Sequence, residues 1–237
     1  MSDQLYLSLW FPNFRLQALP DALVCVLRQF ITVSREGGAQ PELARVTAAS
    51  AYPIDWAESP IYQRIYVNDE RSEASEADTS LPENAVAEAT EQLHDDTAYE
   101  FEMRWKLWAP ETVDAQPGNT DIDIYPDFES VRLDTLWKRE PSTVRILGFG
   151  PGFDDATFEQ NGHIRIDFGL DTPWLAETID DEDLDDGATK HIQQNVEMLL
   201  AFTLSVEKNC GISSRLLWTE SGEPLAQKLI DRLQRVN

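Results

Sequence analysis

Hydrophobic and polar residues alternate most regularly in the segment Tyr99–Trp108. The apolar residues take the odd positions: Tyr99, Phe101, Met103, Trp105 and Leu107. Glutamate, arginine and lysine occupy the even positions from 100 to 106. A period of two over ten residues is typical of a strand with one buried face. The pattern therefore predicts a long strand whose odd-numbered residues face the core.

The first half of the chain mixes strand and helix patterns. Leu5–Phe11 predicts a strand, apolar residues recur at helical spacing from Leu19 to Phe30, and a shorter helical pattern surrounds Val86. The predicted order is strand, helix, strand, strand, helix, strand. This is the ferredoxin-like βαββαβ plan, an antiparallel sheet with helices packed on one face. In that plan Tyr99–Trp108 pairs with Leu5–Phe11.

The second half predicts three strands, a long helix, a further strand and a terminal helix. Its first strands are predicted at Val131–Lys138, Thr143–Phe149 and His163–Phe168. A turn is expected at Glu140 and Pro141, because proline interrupts regular structure. We thus expect an α+β protein with a ferredoxin-like unit at 1–118 and a related α+β sandwich at 119–237. The two units form either separate domains or one globule.

Acidic residues dominate the charge of the chain, with 43 Asp and Glu against 19 Lys and Arg and a net charge of −24. The whole excess lies in two segments, 68–123 with a net charge of −13 and 154–186 with −11. Binding to a nucleic-acid backbone depends on Lys and Arg that neutralise phosphate. The charge balance therefore argues against a nucleic-acid partner.

The apolar runs and the cysteines bear on the cellular compartment. We expect no segment long and apolar enough to cross a bilayer, and no secretion signal. A soluble cytoplasmic protein without membrane association is therefore predicted. Cys25 and Cys210 lie in apolar helical runs and are expected to be buried, reduced thiols. A disulfide would require the two residues to be close in space.

Metal-binding patterns are weak. Asp181–Gly187 places carboxylates at alternate positions, as a calcium loop begins, but Ile192 occupies the position of the usual bidentate glutamate. His94, His163 and His191 lack the short spacing of zinc ligands. We predict no metal and no cofactor, with weak Ca²⁺ binding as the alternative for the acidic loop.

Catalytic patterns are equally weak. Gly148–Gly152 contains three glycines that could approach a phosphate, but Pro151 interrupts the motif and acidic residues follow it. A turn between strands is the preferred interpretation. Ser221 has neither a nucleophile elbow nor a neighbouring histidine. No catalytic residue is predicted, and whether the protein is an enzyme stays open, with a non-catalytic role favoured.

The charge distribution favours a non-catalytic interaction module, of the immunity or inhibitor kind, that binds a basic partner protein. The predicted acidic binding surface comprises Asp180, Asp181, Glu182, Asp183, Asp185 and Asp186. Trp108 is a candidate aromatic anchor, because tryptophan at a strand end offers a large contact area. The oligomeric state is not predicted.

The alternative function is an enzyme or small-ligand binder with a pocket between the two units. Such a pocket would gather polar side chains such as Glu100, Arg104, His163 or Asp167.

Overall fold

A computed structural model describes residues 3–36, 45–53, 63–65, 81–110, 137–153, 162–175 and 186–221. The elements in these ranges are β1 (Gln4–Trp10), α1 (Leu19–Glu36), β2 (Ala48–Pro53), β3 (Gln63–Ile65), α2 (Pro82–Ala89), β4 (Thr97–Pro110), β5 (Trp137–Phe149), β6 (Ile164–Leu170), α3 (Thr172–Leu175), α4 (Asp186–Asn209) and β7 (Ser214–Thr219). A short 3₁₀ turn at Leu16–Ala18 leads into α1.

The strands form one sheet in the order β3-β2-β4-β5-β6-β1-β7. Every neighbouring pair in it is antiparallel. The longest pairing joins β4 to β5, from Ala98 opposite Phe149 to Pro110 opposite Trp137. Helices together with an antiparallel sheet confirm the predicted α+β class.

The predicted strand Tyr99–Trp108 is confirmed, but its predicted partner is wrong. β4 pairs with β2 and β5, whereas β1 pairs with β6 and β7. The hairpin of β5 and β6 lies between β1 and β4, so the ferredoxin-like pairing is not formed. Strands from both sides of the predicted boundary between 1–118 and 119–237 take part in this sheet. The boundary itself lies outside the described residues.

The core lies between one face of the sheet and a layer of helices. The odd-numbered residues of β4 from Tyr99 to Leu107 are at most 2% exposed, as the alternation predicts. The face that α1 buries in the same core comprises Leu19, Leu23, Val26, Leu27, Phe30 and Val33. Aromatic rings fill the centre, where Trp105 lies 5.2 Å from Phe30 and 5.4 Å from Phe168, measured between ring centroids. Burial of such rings is a major source of folding free energy.

By length and composition, the 20-residue segment Leu16–Arg35 could cross a membrane, with a mean hydropathy of 1.3. Such a segment was not predicted from the sequence. In the structure, α1 packs one face of it into the protein core.

A disulfide joins Cys25 of α1 to Cys210, the residue directly after α4, with their Cα atoms 5.7 Å apart. The prediction of reduced thiols is therefore wrong. The two helices pack against each other, so residues 185 positions apart in sequence come together. Sequence spacing carries no signal for this long-range contact.

The predicted turn at Glu140 and Pro141 is also wrong, because β5 runs through both residues. Pro141 lies opposite Lys106 in β4. The N–H and C=O of Trp108, two residues along β4, are bonded by Asn195 and so point away from β5. Residues two apart along a strand point their backbone groups to the same side, so those of Lys106 also point away from β5. The nitrogen of Pro141, which lies opposite Lys106, therefore points away from β4. On that side β6 pairs only with Arg145–Gly148, so the missing N–H costs no ladder bond.

Candidate functional site

The far half of β4 has an edge that no strand in the described ranges covers. β2 pairs with β4 only as far as Glu102. Beyond that point a side chain of α4 bonds to the strand edge. Asn195 accepts a hydrogen bond from the Trp108 N–H at 2.9 Å and donates one to the Trp108 carbonyl at 2.9 Å. A third bond, from Asn195 Nδ2 to the Pro173 carbonyl at 2.9 Å, ties in α3. Asn195 is only 1% exposed, so its amide replaces a missing strand.

Trp108, the predicted aromatic anchor, is fixed at this edge and half-buried. Its indole N–H donates to Gln194 Oε1 at 2.7 Å. The ring of His191 lies 4.0 Å from the Trp108 ring, and the Arg139 guanidinium lies 5.1 Å from the ring centroid. A cation at that distance is attracted by the ring face. Neighbours from β5 and α4 thus hold the side chain in place.

A cavity of about 290 Å³ opens beside Trp108, between β4, β5, α1 and α4. Its lining comprises Val33, Lys106, Trp108, Arg139, Gln194, Asn195, Glu197, Met198 and Ala201. Its volume lies just below the range of about 300–1,000 Å³ for small-molecule sites. None of Glu100, Arg104, His163 and Asp167 lines it. The cavity can hold a small ligand or one side chain of a partner.

The predicted acidic surface lies almost entirely outside the described residues. Asp180–Asp185 are not described, and Asp186 is described only as the first residue of α4. The surface therefore stays a prediction. No group of three or more candidate metal ligands occurs among the residues that the structure describes.

The sheet face opposite the helices carries paired charges. Arg145 in β5 lies 3.9 Å from Asp167 in β6, and the Tyr52 hydroxyl donates to Glu100 Oε2 at 3.2 Å. Burial raises the pKa of Glu100, and the nearby Arg145 opposes that shift. Burial likewise raises the pKa of Tyr52. Glu100 and Asp167 thus lie on one face of the sheet, as the strand register dictates. Each carboxylate interacts with a neighbouring side chain on that face, Glu100 with Tyr52 and Asp167 with Arg145.

Arg165 lies on this same face between two aromatic rings. Its guanidinium is 5.3 Å from the Tyr6 ring centroid and 5.4 Å from that of Phe149. Tyr6 also donates from its hydroxyl to Glu220 Oε1 at 3.1 Å. Burial, reinforced by that hydrogen bond, raises the pKa of Tyr6 to about 12. The tyrosine is therefore neutral at pH 7 and acts as a packing surface for the arginine.

The glycine segment forms the turn that the sequence predicts. Gly150 N–H donates to the Thr97 carbonyl at 2.9 Å, and Gly152 N–H donates to the Asp95 carbonyl at 2.7 Å. A Cβ atom on Gly150 would lie 2.2 Å from the Asp95 oxygen. Both amides are used within the fold, and close backbone approach is the reason for glycine here.

The histidines and Ser221 have separate local partners. His163 accepts a hydrogen bond from the Phe11 N–H at 3.0 Å through Nδ1 and stacks on Phe14 at 4.2 Å. His94 donates its backbone N–H to the Tyr99 hydroxyl. Ser221 donates its backbone N–H to Asp3 Oδ2 at 2.7 Å. These residues form contacts within the fold at distinct places.

Sequence reasoning found Trp108 but missed the residues that hold it. Glutamine and asparagine are adjacent at 194 and 195, and Asn195 lies within a mainly apolar stripe of α4. Asparagine is unfavourable in a helix interior, since its side chain competes for backbone groups. A buried asparagine in such a stripe is the available signal, but it does not identify the strand that it bonds.

Comparison of the chain with protein-family models, with curated proteins and with solved structures gives no match.

Proposed function

We propose that this protein is a non-catalytic interaction module that binds a basic partner protein through an acid-rich segment. The surface assigned to the partner comprises Asp180, Asp181, Glu182, Asp183, Asp185 and Asp186. The proposed location is the cytoplasm, and no nucleic acid or membrane is required.

The uneven distribution of charge along the chain supports this proposal. Residues 68–123 carry a net charge of −13 and residues 154–186 carry −11, whereas the rest of the chain is balanced, with 15 acids and 15 bases. Folding alone does not call for so many acids in one part of a sequence, because like charges repel. A concentrated negative field speeds the encounter with a positively charged partner and excludes negatively charged ones.

Affinity capture from an extract of the native cells tests the proposal. The expected result is a set of captured proteins enriched in basic members, retained at 50 mM NaCl and released at 300 mM, because salt screens charge attraction. Recovery with no bias toward basic proteins, or with no dependence on salt, would count against it.

Two variants with the same net charge test whether one particular acidic surface drives the capture. The loop variant converts Asp180, Asp181, Glu182, Asp183, Asp185 and Asp186 to the corresponding amides, and the control variant does the same to Asp69, Glu70, Glu73, Glu76, Asp78 and Asp114. The loop variant should lose the partner and the control should keep it. Equal losses would mean that total charge, and no particular surface, drives capture.

A second candidate function is the binding of a small ligand, supported by the cavity beside Trp108. Its wall is held in place by hydrogen bonds that Trp108 donates to Gln194 and Asn195, and such pre-organisation favours binding. Spectroscopic titration of the cavity, described below, tests this candidate.

A further inference from the structure

The polar groups of the Trp108 cavity are mainly hydrogen-bond donors. Trp108 Nε1–H donates to Gln194 Oε1, which fixes the Gln194 amide and leaves its NH₂ group as the available end. Lys106 contributes an ammonium group with three donors. The Asn195 amide is already committed to the Trp108 backbone and to the Pro173 carbonyl. A ligand that enters must therefore supply acceptors.

Lys106 brings a positive charge to the lining of the cavity. Arg139 also lines it, with its guanidinium over the Trp108 ring. Among the described lining residues Glu197 is the acidic one, and its carboxylate accepts a hydrogen bond from Gln193 Nε2 at 2.9 Å, along the exposed side of α4. In a chain with a net charge of −24, the Lys106 ammonium favours an anion at this position.

The rest of the lining is apolar. Val33, Met198 and Ala201 form this part of the wall, and Trp108 adds its ring. An inorganic anion would leave these groups without a partner, whereas a ligand with an apolar body covers them. The volume of about 290 Å³ restricts that body to roughly the size of one aromatic ring or a short alkyl chain.

We propose that the Trp108 cavity binds a small amphipathic carboxylate, whose carboxylate group bonds to Lys106 and Gln194 and whose apolar body packs on Val33 and Met198. This inference rests on the second candidate function, ligand binding. A carboxylate is the acceptor-only group that suits an ammonium and an amide donor together.

Methionine methyl groups give a direct measurement. The chain has three methionines, of which Met198 lines the cavity and Met103 is buried in the core. The full chain, labelled with ¹³C in the methionine methyl groups, is titrated with phenylacetate and separately with phenylacetamide, a neutral molecule of the same shape. Phenylacetate should shift the Met198 signal to saturation and leave that of Met103 unchanged.

Two variants that each remove one positive charge from β4 test whether Lys106 binds the carboxylate. Lys106→Gln should weaken phenylacetate binding about tenfold or more, since a charge-assisted bond is lost. Arg104→Gln removes the same charge from the same strand outside the cavity and should leave binding unchanged. An unchanged Met103 signal verifies that each variant is folded.

The outcomes separate the two claims. If phenylacetamide binds as tightly as phenylacetate, or if both variants bind alike, the carboxylate assignment is overturned while ligand binding stands. If neither compound shifts Met198 at millimolar concentration, ligand binding at this cavity is overturned as well.

Discussion

Asn195 completes an edge of β4 with one side chain. It is 1% exposed and makes three hydrogen bonds of 2.9 Å to backbone groups of Trp108 and Pro173. A buried backbone group that loses its partner costs free energy, because it cannot recover a bond to water. One amide therefore links β4, α3 and α4, and it holds the wall of the cavity.

Asn195→Ala should lower the free energy of unfolding by about 2–4 kcal/mol, since it leaves several buried polar groups unpaired. Chemical denaturation measures the change. The nearby Gln193→Ala serves as the control, because Gln193 donates to Glu197 on the helix surface and should change stability by less than about 0.5 kcal/mol. Equal stability of Asn195→Ala and wild type would contradict the described edge.

His163 introduces a dependence on pH. Burial lowers its pKa from the usual 6.5, and its Nδ1 accepts the Phe11 N–H, which only the neutral ring can do. The unfolded chain therefore takes up a proton before the folded protein does, and stability should fall as pH drops below 6.5. NMR titration of the His163 ring checks this. A pKa at or above 6.5 would contradict the burial of a neutral ring.

At the scale of elements, the disulfide connects α1 to the end of α4. Replacing both Cys25 and Cys210 by serine should lower the free energy of unfolding by about 3–5 kcal/mol, because the cross-link closes a very long loop and so restricts the unfolded chain. Denaturation with and without a reducing agent measures this. The reductant should destabilise wild type and have no effect on the double variant. A reductant-insensitive wild type would show that the bond is not formed.

The turn after β5 packs against the turn before β4. Gly150→Ala would place a Cβ 2.2 Å from the Asp95 carbonyl oxygen, so it should destabilise the protein by about 3 kcal/mol. At Gly152 the corresponding distance is 3.3 Å, and Gly152→Ala should cost clearly less. Thermal unfolding ranks the two variants. The reverse order would mean that the two turns are not in contact.

Elements that form through local interactions were predicted correctly from the sequence, whereas features that depend on distant strands were missed. β4 and α1 were predicted correctly, because alternation and helical spacing are local patterns with one buried face. The passage of β5 through Pro141 was missed, since it depends on β6 being short on that side. A proline is visible in the sequence as a signal for a break in a strand. Whether a strand can contain it depends on which neighbouring strands pair with that residue.

At the scale of the whole molecule, sheet order was the main error. Placing β5 and β6 between β4 and β1 depends on the pairing of β1 with β6 across more than 150 residues, which no local pattern encodes. The disulfide and the Asn195 contact are of the same kind. Trp108 was identified from the sequence as an aromatic residue at a strand end. The cavity beside it was not predicted, because it forms only where α4 and β5 meet.

The disulfide also bears on the cell compartment. Disulfides form and persist mainly in oxidising environments, whereas the cytoplasm keeps most thiols reduced. Such a bond is uncommon in a cytoplasmic protein, so the proposed cytoplasmic location stays an untested prediction.

The central claim is that a local negative field, carried by residues 180–186, guides a basic partner to this protein. The most direct test is the association rate constant of the captured partner with wild type and with the loop variant, measured by surface plasmon resonance between 50 and 300 mM NaCl. For wild type the rate constant should fall about tenfold or more across this range, as expected for charge-guided association. For the loop variant it should start low and change little. Equal rate constants and equal salt dependence for the two proteins would contradict the claim.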